Sequence, residues 1–296
     1  MRQRFWQGTF KTLGLLGLTA GLAAQAAEPS GKALSAAAGV PWPAVIAHRG
    51  ASYDAPEETA AAYLLARDLG ADYLEADVQR SRDGVLVALH DDTLERTTDV
   101  AEVFPGRAKD PVSSFTLAEL KRLDAGSWFN RAFPERARPG FVGLRILTLD
   151  EMLDIAEGGA NKPGLYLETK VPAQFPGIED DLRKLLERRG WLQPRERAAA
   201  GHVDVAHGAL GTGPSATLSE RGEQSYADLV KPWMNRMTHA RGLFIHAYSV
   251  DSAEDFKALG AAGVDGFFTN RTSELLKFQG RPAAQDMDAL LRRHGY

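Results

Sequence analysis

Residues 73–78, Tyr-Leu-Glu-Ala-Asp-Val, carry two carboxylates two positions apart in a strand-like run, and residues 164–170, Gly-Leu-Tyr-Leu-Glu-Thr-Lys, repeat this spacing with a carboxylate and an amine. Residues 44–50, Ala-Val-Ile-Ala-His-Arg-Gly, form a third apolar run that ends in charged groups, and His90 and Asp91 end a fourth. A tight turn at Asp83-Gly84 separates the 73–78 run from the run that ends at His90, and segments of helical periodicity separate the others, which predicts a parallel sheet. Because polar residues at the carboxyl ends of strands are typical of the active site of a TIM (β/α)8 barrel, we expect an α/β barrel of this kind.

The predicted barrel domain occupies residues 42–279. Helical periodicity at residues 57–69 ends at Gly70, and an amphipathic helix is predicted over residues 178–189. Residues 280–296 form a polar C-terminal tail, which we expect to be loosely docked.

The beginning of the chain resembles a secretory signal peptide, predicted over residues 1–26. Three basic side chains precede a short apolar run at residues 12–23, and a small-x-small cleavage site ends at Ala26. A retained N-terminal anchor helix is the alternative, although the run is short for a membrane span. Residues 27–41, rich in Ala, Gly, Ser and Pro, are predicted to be a linker. We therefore expect an exported protein, in the periplasm or outside the cell, without a stable membrane anchor after cleavage.

Composition narrows the chemistry. The chain has no cysteine, so disulfides, thiolate metal sites and a cysteine nucleophile are excluded. The formal net charge is −4, with acidic and basic residues interspersed, and we find no basic patch suited to nucleic acid. A small diffusible substrate is therefore expected. The oligomeric state is left open.

Three carboxylates are predicted to bind a metal ion. Glu75 and Asp77 share one face of a strand, and their like charges repel unless a cation or a proton lies between them. Glu168 is expected to complete the site. Surface acids on an edge strand, and a buried ion pair between Glu168 and Lys170, are the structural alternatives. Carboxylate ligands favour a hard ion, so we expect one divalent cation, Ca²⁺ or Mg²⁺.

Two histidines are predicted to act as general acid and general base. His48 and His90 end strands on either side of the carboxylate pair, and imidazole titrates near neutral pH. Arg49 offers a planar cation suited to phosphate. Trp128 lies in a glycine-flanked loop and is predicted to line the substrate pocket, with core packing as the alternative. The set suits metal-assisted attack on a phosphate ester.

With these motifs in view, the sequence resembles the glycerophosphodiester phosphodiesterase family. The resemblance covers about residues 44–191 and 209–277. The matching strings are Ile46–Ser52, Ala55–Thr59, Ala71–Val78, Asp83–Val87, His90–Asp91, Arg96–Thr98, Leu123–Phe129, Leu167–Lys170 and Gly263–Thr269.

The resemblance implies a TIM barrel that hydrolyses glycerophosphodiesters to glycerol 3-phosphate and an alcohol. It assigns the cation to Glu75, Asp77 and Glu168, the acid–base pair to His48 and His90, phosphate contacts to Arg49 and Lys170, and a supporting role to Glu57. Residues 92–147, inserted after the third strand, would form a cap that recognises glycerol. In such enzymes the 2-hydroxyl of the substrate can attack phosphorus, and water then opens the cyclic phosphate.

The chain departs from the family pattern in three places. Glu58 stands where asparagine is usual and adds a negative charge near the site, and Leu147 replaces a usual proline. Residues 195–208 occupy the place of a fifth strand and its helix, and this segment is too short for a βα unit with its two loops. We therefore predict a barrel that is incomplete or distorted around strand 5.

Two other functions remain open from the sequence. A lysophospholipase D or sphingomyelinase D-like phosphodiesterase would use the same barrel and the same chemistry. A catalytically impaired relative would bind phosphodiesters without turnover, because a loosened barrel misplaces reacting groups.

Overall fold

The computed structural model of the chain describes residues 30–192, 211–212, 214, 230–281 and 286–296. The predicted signal peptide and the short 195–208 segment lie outside the described residues, so both stay predictions. None of the helices in the described ranges has the length and hydrophobicity of a membrane span.

The described residues form seven strands in one curled sheet. They are β1 (Ala44–Ala47), β2 (Tyr73–Arg80), β3 (Leu86–Ala88), β4 (Gly164–Thr169), β5 (Gly211–Thr212), β6 (Phe244–Ala247) and β7 (Gly266–Thr269). The parallel order is β4-β2-β1-β7-β6-β5. In the described part of the chain this ladder ends at β4 on one side and at β5 on the other. The predicted α/β barrel fold, incomplete or distorted around strand 5, is therefore confirmed.

Strand β3 differs from the expected parallel arrangement. It pairs antiparallel with the end of β2, with Val78 opposite Ala88 and Arg80 opposite Leu86. The tight turn between them, at Gly84 with φ +88°, explains the direction. A parallel neighbour needs a long crossover, whereas a short turn returns the chain beside its own strand.

The described residues also form eleven α-helices: α1 (Gly31–Ala38), α2 (Ala60–Leu69), α3 (Val100–Val103), α4 (Leu117–Leu120), α5 (Ser127–Ala132), α6 (Leu149–Gly158), α7 (Ile178–Arg188), α8 (Pro232–His239), α9 (Ala253–Ala262), α10 (Thr272–Phe278) and α11 (Met287–Arg293). Short 3₁₀ helices lie at Pro105–Arg107, Val112–Ser114, Pro134–Arg136, Pro139–Phe141 and Pro172–Gln174.

The strands separate an outer core from the barrel interior. On β1, Val45 and Ala47 pack into the large hydrophobic cluster beneath the helices. Ala44 and Ile46 belong instead to a small cluster with Phe268 inside the sheet. This is the period-two alternation of a strand, and it sends the polar residues that continue the inner face towards the barrel mouth.

The predicted insertion, residues 92–147, contains helices α3 to α5 and four of the 3₁₀ helices. It contributes to a second hydrophobic cluster, which includes Leu94, Val100, Phe115 and Leu123, all fully buried. Part of the segment therefore folds around a cluster that it shares with Val87 and Leu89, while Phe129 and Phe141 pack into the large cluster of the barrel.

The predicted linker contains a helix. Ser30 caps α1 by accepting a hydrogen bond from the Ala33 N–H at 3.2 Å, and Gly39 ends it with φ +72°. Gly31 is buried, and a Cβ there would lie 1.6 Å from Asp265 Oδ1. Alanine has a high helix propensity, and residues suited to capping stand at both ends of the segment. Gly31 also allows the helix to pack closely against Asp265. Residues 31–38 are therefore helical, whereas composition alone had suggested a linker.

The expectation of a loosely docked tail is wrong. Helix α11 packs against α2, with Leu290 and Leu291 each 1% exposed. His294 Nε2 lies 2.8 Å from Asp68 Oδ2, and Arg138 forms an ion pair with Asp288. The apolar pair in an otherwise charged segment explains the docking, because it can be buried only against another element.

We expect Leu290→Ala to lower the free energy of unfolding by about 2–5 kcal/mol, because it removes a buried leucine side chain from the core. Urea unfolding followed by circular dichroism measures the change. Arg292→Ala is the matched control on the same helix, since its side chain is exposed and its ion pair with Asp286 is 3.6 Å long. Equal effects of the two substitutions would contradict the docking of α11.

Candidate active site

The predicted site residues on β2 lie level with the carboxyl ends of the neighbouring strands β1 and β4. Glu75 and Asp77 are on β2, and Glu168 is on β4, where it pairs directly with Asp77 in the parallel register. His48 follows β1, and its N–H donates to the Thr269 carbonyl at the end of β7. Strand pairing therefore brings together residues that are far apart in the sequence.

The three carboxylates form a group that could hold a metal ion. One oxygen of each of Glu75, Asp77 and Glu168 lies within 4.8 Å of the others. Glu75 and Asp77 are buried, and Glu168 is exposed. Burial and the neighbouring Asp77 raise the pKa of Glu75 well above its ordinary value. Within the described residues, Asp77 Oδ2 is buried without a hydrogen bond. A buried carboxylate oxygen that accepts no hydrogen bond, in a cluster of carboxylates, fits a hard cation, although Arg49 Nε lies 3.1 Å away.

Two cations flank Asp77. Arg49 Nε lies 3.1 Å from Asp77 Oδ2, and the Arg49 backbone N–H donates to Glu75 Oε2 at 2.7 Å. Lys170 Nζ lies 2.9 Å from Asp77 Oδ1 and 2.7 Å from Glu168 Oε1. Both side chains contact carboxylates here, so their predicted contact with phosphate stays a prediction.

The turn after β1 directs the Arg49 N–H at Glu75. Arg49 has φ +56°, and Gly50 has φ +84°. A Cβ on Gly50 would lie 2.7 Å from the Ala62 carbonyl carbon, so the turn also needs the close approach that glycine allows.

His48 is oriented by an amide. Its Nδ1 lies 2.8 Å from Asn270 Oδ1, while Asn270 Nδ2 donates to Asp251 Oδ2 at 2.6 Å. Because Asp251 accepts from the amide nitrogen, Asn270 presents its oxygen to His48. Nδ1 of His48 is then the donor, and Nε2 keeps its lone pair. Burial, with Arg49 beside it, lowers the pKa of His48.

His90 is oriented by a carboxylate. Its Nδ1 lies 2.6 Å from Asp91 Oδ1. Arg96 donates to both oxygens of Asp91, at 2.6 and 2.9 Å, and to both oxygens of Glu57, at 2.9 and 2.7 Å. Hydrogen bonds from His90 and Arg96 hold the pKa of Asp91 well below its usual range. Glu57 also accepts from Arg49 at 3.0 Å, so this chain of contacts joins His90 to the carboxylate group.

Trp128 lies where the cap meets this series of contacts between His90 and the carboxylate group. Its indole nitrogen donates to the Ala125 carbonyl at 3.0 Å, and its ring is 5.8 Å from the guanidinium of Arg96. It is partly buried against Phe129. The predicted pocket position is therefore adjacent to the site, and part of the side chain packs on the core.

Three residues of the site were missed in the sequence. Arg96 lies in a matching string but was given no role, and Asp251 and Asn270 lie in no motif; all three position other side chains. Asp251 and Asn270 each follow shortly after a strand, and that placement was the available signal. Their partners come from distant parts of the chain, which a local pattern does not identify.

Comparisons with known proteins point to one protein family. A profile described as the Glycerophosphoryl diester phosphodiesterase family matches residues 48–181. A glycerophosphodiester phosphodiesterase of Bacillus subtilis (strain 168) is 35% identical over 254 residues, covering 76% of this chain and 82% of that protein. The crystal structure of a glycerophosphodiester phosphodiesterase from Agrobacterium tumefaciens C58 has a TM-score of 0.54 at 28% identity, and the match covers 77% of this chain and 96% of that one. An Oleispira antarctica phosphodiesterase, solved in complex with the product sn-glycerol-3-phosphate, has a TM-score of 0.59 at 24% identity, with 81% and 97% covered.

Proposed function

Because this chain belongs to the glycerophosphoryl diester phosphodiesterase family and is an enzyme of that type, we propose that it uses a divalent cation and two histidines to release glycerol 3-phosphate and an alcohol. The observation that carries the proposal is the pair of differently oriented histidines beside the carboxylate group. His48 faces a neutral amide, and His90 faces a carboxylate. The Oleispira relative was solved with glycerol 3-phosphate, the product proposed here.

His48 is the general base in this proposal. Its Nδ1 proton is committed to Asn270, which leaves Nε2 to take the proton of the glycerol 2-hydroxyl as that oxygen attacks phosphorus. His90 is the general acid, because the carboxylate of Asp91 stabilises the imidazolium that gives its proton to the leaving alcohol. Water then opens the cyclic phosphate with the two roles reversed.

The carboxylate group supplies the cation site. Glu75, Asp77 and Glu168 would hold a Ca²⁺ or Mg²⁺ ion, which neutralises charge that develops on the phosphoryl oxygens. Lys170 and Arg49 hold the Asp77 carboxylate in place before substrate binds.

The first experiment is an assay of glycerol 3-phosphate release from glycerophosphocholine, with EDTA and then with Ca²⁺ or Mg²⁺ restored. Turnover that stops with EDTA and returns with the ion is expected. Choline release from lysophosphatidylcholine, without turnover of glycerophosphocholine, would support the lysophospholipase D-like function instead. A folded protein that binds glycerophosphocholine without turnover would support the impaired relative.

We expect Arg96→Lys to lower kcat by about 100-fold with a smaller change in KM, because a lysine cannot donate to both carboxylates at once and His90 loses its fixed position. Steady-state kinetics on glycerophosphocholine measure both constants. Arg107→Lys, which changes an arginine of the cap with its own acidic partners, is the matched control. An Arg96→Lys enzyme with the kcat of the control would show that these contacts do not position His90, the proposed general acid.

A further inference from the structure

Glu58 lies beside the carboxylate group, but the proposed reaction gives it no role. We propose that Glu58 is a fourth carboxylate of the cation site, whose charge strengthens divalent cation binding in this chain. The inference rests on the proposed cation dependence and goes beyond it, because it adds a residue that the three-carboxylate group does not contain.

The backbone conformation at Glu58 places its side chain against β2, beside the carboxylate group. Its φ is +56°, in the left-handed region, where asparagine is common and glutamate is rare. Its backbone N–H donates to the Arg49 carbonyl at 3.0 Å, which ties this turn to the turn after β1. The side chain is 4% exposed and reaches the backbone of β2, where Oε1 accepts the Asp77 N–H at 2.7 Å.

The second oxygen of Glu58 is the decisive observation. Among the described residues, Oε2 is buried and has no hydrogen-bond partner. Asp77 and Glu75 are the carboxylates that act most strongly on this side chain, and Arg49 is the opposing cation. An unpartnered buried oxygen beside two other carboxylates is unfavourable unless a positive charge arrives to balance it.

Hydrogen bonding alone does not require glutamate here. An amide oxygen would accept the Asp77 N–H equally well, without the cost of burying a charge. Arg49 is already shared with Glu57 and Asp77, and Lys170 with Asp77 and Glu168. The extra carboxylate gives the group, when it is ionised, an excess of negative charge, which a bound divalent cation relieves without protonation.

Binding of the ion alone tests the inference. Calorimetric titration of CaCl2, and separately of MgCl2, into EDTA-stripped and dialysed full-length protein gives the dissociation constants. We expect Glu58→Gln and Glu58→Asn to weaken binding on the order of tenfold or more, because each removes one charge close to the ion. Glu187→Gln removes an exposed carboxylate from the end of α7 and should leave the affinity unchanged.

Thermal melting in EDTA distinguishes an electrostatic role from a purely structural one. The Tm of the metal-free variants should be equal to or higher than that of the parent, while the rise in Tm on adding CaCl2 should shrink. Glu58→Asn provides a second variant because asparagine suits the positive φ. Unchanged affinity in both variants, or a lower Tm in EDTA with unchanged affinity, overturns the role of Glu58. A parent protein that binds neither ion overturns the cation dependence itself, which is a separate result.

Discussion

His90→Gln is expected to lower turnover of glycerophosphocholine by about 10²- to 10⁴-fold, while the first-turnover release of p-nitrophenolate from a glycerophosphodiester with that leaving group keeps most of its rate. Choline is a poor leaving group without a proton donor, whereas p-nitrophenolate leaves without one. His48→Gln should lose activity on both substrates by a similar factor, because both reactions need the attacking hydroxyl to be deprotonated. Release of glycerol 3-phosphate and of p-nitrophenolate measures the two rates.

The contrast between the two substrates assigns the roles. Retained p-nitrophenyl ester activity in His48→Gln and not in His90→Gln would mean that the assignments are reversed. His294→Gln is the matched control, since His294 lies on the docked tail and pairs with Asp68 away from the strand ends. Because burial lowers the pKa of His48 from 6.5, the acidic limb of kcat/KM in the parent enzyme should lie below pH 6.5. A base is active when deprotonated, so activity falls as the pH drops through that pKa.

Asp77→Asn should abolish cation-dependent activity, with a loss larger than the roughly 100-fold typical of residues that only support a metal ligand. Asp77 is the carboxylate that contacts both Arg49 and Lys170, and it pairs with Glu168 across the strands. Its replacement removes one oxygen ligand and leaves both cations beside a neutral side chain. The expected second result is loss of the rise in Tm on adding CaCl2, because an ion that binds only the folded state stabilises it.

Two measurements keep this prediction separate from simple unfolding. Circular dichroism in EDTA should show that Asp77→Asn is folded, and Glu187→Gln should keep both activity and the Ca²⁺-dependent rise in Tm. An Asp77→Asn protein that still gains stability from CaCl2 and still turns over would remove Asp77 from the cation site. The ion would then be bound by Glu75, Glu168 and a ligand other than Asp77.

Local sequence patterns were sufficient for the pair of carboxylates on β2. Glu75 and Asp77 are two residues apart on a strand, and a strand sends such residues to the same face whatever surrounds it. The Asp83-Gly84 turn likewise makes a hairpin, and the long crossover before Glu168 allows a parallel neighbour. These features depend on the backbone geometry of a few consecutive residues, so the amino-acid sequence by itself determined them.

Only the tertiary structure determined how the histidines are oriented and where helix α11 docks. His48 and Asn270 are 222 positions apart, and the pairing of β1 with β7 is what brings them within hydrogen-bond distance. Arg96 reaches Glu57 only because the cap folds back over the strand ends. The docking of α11 depends on the apolar surface of α2, whose location no local pattern records. Hydrogen bonds and buried contacts between distant segments depend on the packing of whole elements, and for that reason they became visible only in the folded chain.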